Sequence, residues 1–237
     1  GGGGGGGMVA GMLSPTLTRR AHVIAADDVV LQEEVGRGSY GVVYRATWRG
    51  MAVAVKQLLL QDASDADVAA FREEARRMAA IQPHINLVQF CGVVVEPTLC
   101  IVTRYYSGGA LSNLVYNPKQ TLPPQRCLHW LRCVARGVAH LHAEGVVHRD
   151  LATRNVLLDE KHYHALITDF GYARELLLPH NGDGGGASGG SGKQQQRTAS
   201  TVGPLRWMAP ESVLERLYST ASDVWAWACV VVEIYSR

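Results

Sequence analysis

Cysteine is scarce in this chain. Its 237 residues include only five, Cys91, Cys100, Cys127, Cys133 and Cys229, an odd number without C-x-x-C spacing. That argues against a disulfide framework and against a zinc site, and it suits a reducing compartment. A small apolar core residue is the reading that fits each of them. Charge of one sign is lacking too: the formal net charge is +2, and no basic stripe with interleaved aromatics appears, so nucleic acid is not an expected partner. No apolar run approaches the ~20 residues that cross a bilayer. The N-terminus has no basic segment followed by an apolar one, as a signal peptide would. These absences describe a soluble, cytoplasmic chain, or the cytoplasmic part of a larger protein. Apolar residues are plentiful at 47%, enough for the core of one large domain or two small ones.

Two segments are low in complexity. Residues 1–26 open on seven glycines and read as a disordered tail. Residues 177–198, glycine-rich and then glutamine-rich, read as a flexible insertion in a surface loop. Between them, residues 29–58 alternate β-branched and polar positions, with breaks at Gly36–Gly41 and Arg49-Gly50, which predicts three strands. Residues 67–81 switch to helical spacing, with Phe71, Ala75 and Met78 on one stripe and Glu73, Arg76 and Arg77 pointing away. Two more strands are expected within 87–103. A second helix is expected from Pro124 to Glu144, with Cys127, Leu131, Val134, Val138 and Leu141 on one face and Gly145 just past its end. The pattern predicts an α+β chain of two lobes: a small antiparallel sheet with one helix over 27–103, a join at 104–109, and a mainly helical part over 110–237.

Four short stretches carry chemistry. Gly36-Arg37-Gly38-Ser39-Tyr40-Gly41-Val42-Val43 places three glycines between two predicted strands, where backbone N–H groups can approach phosphate oxygens. By itself it suits a flexible hairpin tip equally well. Lys56 ends the apolar strand Ala52-Val53-Ala54-Val55. Glu74 falls inside the apolar stripe of the first helix, where a carboxylate is costly unless paired, so a strand lysine is its natural partner. His148-Arg149-Asp150-Leu151-Ala152-Thr153-Arg154-Asn155 crowds polar groups before the apolar run Val156-Leu157-Leu158, as a rigid loop presenting a carboxylate would. Asp169-Phe170-Gly171 adds a second carboxylate on a tight turn. An acid and an amide oxygen together are hard ligands suited to Mg²⁺.

In this order the stretches resemble the signature set of the eukaryotic protein kinases, in the tyrosine-kinase and tyrosine-kinase-like group, from about Val29 to Arg237. The resemblance implies the two-lobed protein-kinase fold and transfer of the γ-phosphoryl group of ATP to a protein hydroxyl, with Mg²⁺, in intracellular signalling. It implies that Asp150 accepts the hydroxyl proton, supported by Arg154, and that Asn155 and Asp169 bind the metal ions. Lys56, positioned by Glu74, would hold the α- and β-phosphates. The nucleotide would also meet Gly36, Arg37, Gly38, Ser39, Gly41, Val43, Ala54 and Leu157. The segment Ile101 to Tyr106 resembles the hinge, with Thr103 at the gatekeeper position and Arg104 and Tyr106 beside the adenine. Arg104 stands where relatives often carry glutamate.

Ala152 and Arg154 match the tyrosine type of catalytic loop, and Pro204 before Trp207-Met208-Ala209-Pro210-Glu211 is also tyrosine-kinase-like. Tyrosine or dual specificity is therefore favoured. The alternatives are a serine/threonine kinase of the tyrosine-kinase-like group, a nucleotide-binding pseudokinase scaffold, and an inactive fragment. Residues 173–206 contain no tyrosine, so Thr198, Ser200 and Thr201 are the candidate regulatory phosphosites, with Arg149 as the phosphate partner. In the family, Asp223 of Ser222-Asp223-Val224-Trp225 bonds to the catalytic-loop backbone. The lower lobe is expected to be truncated. Glu211 would then lack its usual arginine, and the helix carrying Val224, Trp225, Trp227, Val230, Val231 and Ile234 would lack part of its cover.

Overall fold

The computed structural model describes residues 22–38, 41–59, 64–175, 196–197 and 205–236. They divide into two compact units. The first holds the described residues up to Pro83 together with Gln89–Tyr105, and the second holds His84–Val88 and the described residues from Tyr106 onward.

The first unit is built on a five-stranded sheet of order β1-β2-β3-β5-β4, with β1 Val29–Gly38, β2 Gly41–Trp48, β3 Met51–Leu58, β4 Phe90–Val94 and β5 Cys100–Arg104. All its strand pairs are antiparallel. Arg49 and Gly50 are both left-handed (φ 48° and 78°), which closes β2 onto β3 in the two-residue hairpin that matches strand twist. Strand alternation sends Val53 and Val55 into a core with Ala46, Trp48, Val94, Cys100 and Val102. The opposite parity holds Val43, Ala54, Lys56 and Thr103, and the register pairs Val43 with Lys56 and Ala54 with Thr103. Gly41 needs to be glycine because a Cβ there would overlap the Gln57 carbonyl oxygen of the neighbouring strand.

Between β3 and β4 runs α1, Asp65–Ala80, opened by a capping box in which Ser64 and Asp67 satisfy each other's backbone N–H groups. Phe71, Glu74, Ala75, Arg77 and Met78 are buried. Arg77, expected to point away, is 1% exposed and donates to Glu73 at 3.0 Å. It lies about 60° around the helix from Glu74, so the buried arc is wider than the apolar letters alone suggest. The packed chain also starts earlier than the sequence reading placed it. Ile24 is 2% exposed, its N–H donates to the Val93 carbonyl at 2.8 Å, and the Val93 N–H donates to the His22 carbonyl at 2.9 Å. A single anchoring isoleucine has no periodicity to betray it.

In the second unit the helices are α2 Leu111–Val115, α3 Pro124–Ala143, α4 Pro210–Leu214 and α5 Thr220–Tyr235. The short strands are β6 Val146–Val147, β7 Val156–Leu158, β8 Ala165–Ile167, β9 Arg174–Glu175, β10 Gln196–Arg197 and β11 Leu217–Tyr218. They form three two-stranded ladders, β6 with β9, β7 with β8 and β10 with β11. Proline at the first turn and Gly145 at φ 74° delimit α3. The segment His84–Val88 is sewn onto β8: Asn86 Nδ2 donates to the Ala165 carbonyl at 3.0 Å, and the Ile167 N–H to the Asn86 carbonyl at 2.9 Å. Gly137 of α3 makes room for it, since a Cβ would stand 2.8 Å from the Asn86 oxygen. On α5 the expected apolar face splits. Val230 and Ile234 are buried, Trp227 donates to the Leu131 carbonyl at 3.2 Å, and Val224 and Trp225 are exposed.

Candidate active site

In the first unit, Lys56 Nζ donates to both oxygens of Glu74, at 2.7 and 2.8 Å. The Glu74 side chain is 7% exposed and that of Lys56 28%, so the lysine keeps a water-facing side while the carboxylate does not. The glycine-bearing strands β1 and β2 pair Gly36 with Val43 and Gly38 with Gly41. Arg37 is occupied by Glu34 at 2.7 Å on the surface, and Ser39 lies outside the described residues. Arg104 is exposed. Its N–H donates to Gln89 and that of Tyr105 to Ala52. Tyr106 and Leu157 belong to the second unit, where Leu157 pairs with Leu166.

In the second unit the loop His148–Asn155 is held from several sides. Asp223, 1% exposed on α5, accepts the N–H of His148 at 2.8 Å and of Arg149 at 2.9 Å, and its Oδ2 lies 2.8 Å from His142 Nε2. The Asp150 N–H donates to His148 Nδ1 at 3.3 Å, which leaves Nε2 as the ring's donor to the Thr168 carbonyl at 3.0 Å. Arg154 Nη2 donates to one oxygen of Asp150, and Asn155 Nδ2 to the other at 2.8 Å and to the Asp150 carbonyl at 2.7 Å. Burial pushes the Asp150 carboxyl above the ordinary aspartate value. Arg154, His148 and Asn155 pull it down, and Asp169 pushes it up further. The Thr168 N–H donates to the Asn155 carbonyl at 3.0 Å, tying Asp169 to this loop. Arg149 and Asp169 both take left-handed backbone (φ 72° and 63°), strain that persists only where surrounding bonds impose it.

Asn155 spends its amide hydrogens on Asp150, which leaves its oxygen to accept. With the Asp169 carboxylate this gives a hard, all-oxygen donor pair that fits Mg²⁺. Arg149 is buried with its guanidinium 3.9 Å from the Tyr218 ring centroid, and its Nε and Nη2 find no partner among the described residues. Thr198, Ser200 and Thr201 lie outside those residues. Their chain neighbours Gln196 and Arg197 pair with Tyr218 and Leu217.

Glu233 escaped the sequence reading. It is 9% exposed on α5 and accepts the Thr153 N–H at 3.1 Å, the Thr153 hydroxyl at 2.8 Å, Trp207 Nε1 at 2.7 Å and the Tyr116 hydroxyl at 2.6 Å. A carboxylate in so apolar a helix was the available signal.

Residues 29–237 match the family described as protein tyrosine and serine/threonine kinase. The chain is 34% identical to mitogen-activated protein kinase kinase kinase 11 of Homo sapiens, over 90% of this chain and 24% of that protein. It is 34% identical to mitogen-activated protein kinase kinase kinase 10 of Mus musculus, over 95% and 23%. To the probable serine/threonine-protein kinase SIS8 of Arabidopsis thaliana it is 33% identical, over 89% and 19%. The chain thus spans about a quarter or less of the length of these relatives.

Proposed function

This chain belongs to the protein tyrosine and serine/threonine kinase family, and on that premise we propose that it moves the γ-phosphoryl group of ATP onto a protein hydroxyl. The observation that carries the reading is Asp150, buried yet held by Arg154 and Asn155 in a loop hung from Asp223. Phosphoryl transfer asks for positioning and charge neutralisation more than covalent chemistry. Asp150 receives the hydroxyl proton, and a carboxyl raised by burial is a better acceptor than an ordinary surface aspartate. Lys56, aimed by Glu74, neutralises phosphate charge, and Gly36, Gly38 and Gly41 offer backbone N–H groups to the phosphates. Asn155 and Asp169 hold Mg²⁺, which supplies further neutralisation of phosphate charge.

The acceptor we propose is serine or threonine, supported by relatives that carry serine/threonine-protein kinase in their names. A second reading, tyrosine or dual specificity, rests on Ala152 and Arg154. Phosphoamino-acid analysis of a labelled protein substrate decides: phosphoserine or phosphothreonine alone supports the first reading, and phosphotyrosine the second. ATP binding without transfer would instead make the chain a nucleotide-binding scaffold. Regulation follows from Arg149: a phosphate on Thr198, Ser200 or Thr201 gives its unpartnered N–H groups an anion. We place the activity in the cytoplasm, where ATP is available. No helix among the described residues is long and apolar enough to cross a membrane.

A further inference from the structure

Cysteine spacing is blind to a site whose ligands come from one helix face and one turn. His129 and Cys133 stand four residues apart on α3, one above the other on the same face, with Nε2 and Sγ 3.5 Å apart. His164, which immediately precedes β8, supplies a third donor. One ligand atom from each of the three lies within 4.8 Å of the others. We propose that His129, Cys133 and His164 form a zinc site, completed by a water molecule.

The donor set is two imidazoles and a thiolate, which suits Zn²⁺ and not Mg²⁺. Tetrahedral zinc with bonds of about 2.0–2.3 Å places its ligand atoms roughly 3.3–3.7 Å apart. The His129–Cys133 pair already has that spacing, and the third ligand needs to close by no more than about 1.5 Å. Cys133 is 2% exposed, while both histidines are half-buried, and the fourth position is assigned to water as part of the proposal.

The frame around the three ligands is rigid. Trp130 Nε1 donates to the His162 carbonyl at 2.9 Å, and Arg126 Nη1 to the same oxygen at 2.6 Å, fixing the turn onto α3. The Asp159 N–H donates to the His164 carbonyl at 3.1 Å, and His162 holds a left-handed φ of 52°. The Tyr163 ring lies 4.3 Å from that of His129 and meets His164 edge-on at 5.0 Å, which limits both rings' rotation. Metal ligands held by such surroundings lose little freedom on binding.

Charge weighs on both sides. Burial, His164 and the arginines Arg126, Arg136 and Arg132 all lower the basicity of His129, favouring the neutral ring that ligates. The same arginines oppose a dication. The Cys133 thiolate offsets them, and Arg132 and Arg136 are exposed to screening water. None of the three ligands is among the residues assigned to phosphoryl transfer, so the two readings stand or fall separately. Without metal, the hydrogen bond seen between these ligand atoms among the described residues is the one between Cys133 and His129.

Equilibrium dialysis of the chain against Zn²⁺ in competition with a chromophoric chelator separates these cases, together with a Co²⁺ titration and thermal unfolding. The expected result is one zinc per chain and a thiolate-to-cobalt charge-transfer band. Zinc should also raise Tm, reversibly by chelation. Cys133→Ser and His164→Ala should each weaken binding at least ten-fold. His164 is half-exposed, so its variant, checked by cooperative unfolding, tests the site without emptying the core. Absence of zinc binding, or binding that both variants leave unchanged, would overturn the proposal. So would cobalt binding without a thiolate band.

Discussion

Glu74 and Glu233 each interrupt an apolar face, and each is buried with named donors around it. The cost of an unpaired buried carboxylate makes such positions informative. At Glu74 that reasoning points from sequence alone to a cation, and the side chain does meet Lys56. At Glu233 the same reasoning was available but its partners were not guessable, because a backbone N–H and an indole N–H leave no charge signal in a sequence. The two sites respond differently to the loss of charge. Glu74→Gln removes the countercharge of Lys56 and is expected to raise the KM for ATP and lower stability on the order of 2 kcal/mol. Glu233→Gln is expected to stay within about 1 kcal/mol of the parent, since the Tyr116 and Thr153 hydroxyls can rotate to accept its new N–H groups. Glu233→Leu orphans the Thr153 N–H and Trp207 Nε1 and is expected to cost about 3 kcal/mol. Chemical denaturation of the three variants checks that order.

At the scale of elements, the loop carrying Asp150 takes its shape from α5. Asp223 supplies two oxygens to two adjacent backbone N–H groups, which holds Arg149 in its left-handed conformation. Asp223→Asn turns an amide N–H₂ toward one of those donors. The expected loss is about 2 kcal/mol, or about 4–8 °C in Tm, with kcat falling while nucleotide binding persists. A Tm within a degree of the parent would contradict this account of the loop. Gly137→Ala offers a packing test elsewhere in the same unit. Its Cβ would crowd the Asn86 oxygen and Ile167 Cδ1, both at 2.8 Å, and a cost of about 1–3 kcal/mol is expected by thermal unfolding. The five strands of the large sheet and the helices α1 and α3 were legible from their periods, because β2, β3, α1 and α3 each bury one face. What periodicity could not supply were ties between distant elements: Ile24 on β4, the His84–Val88 segment on β8, and the turn before His164 on α3. Each depends on one or two residues whose partners lie far along the chain.

For the whole molecule, the residues assigned to phosphoryl transfer come from both units, each ordered by its own bonds. The Lys56–Glu74 pair belongs to one, and the loop from His148 to Asn155 with Asp169 belongs to the other. Control is expected to act through Arg149. Alanine at Thr198, Ser200 and Thr201 together should reduce kcat several-fold relative to the phosphorylated parent, whereas unchanged activity would remove that mode of regulation. The central claim is that Asp150 makes this chain a phosphotransferase. It is tested most directly by comparing labelled γ-phosphoryl transfer from ATP by the chain and by its Asp150→Asn variant, each shown by nucleotide-dependent thermal stabilisation to bind ATP. We predict transfer by the parent and a fall of about 10²–10⁴-fold in the variant, with nucleotide stabilisation retained. Equal transfer by both, or nucleotide binding by the parent with no transfer, would contradict the account.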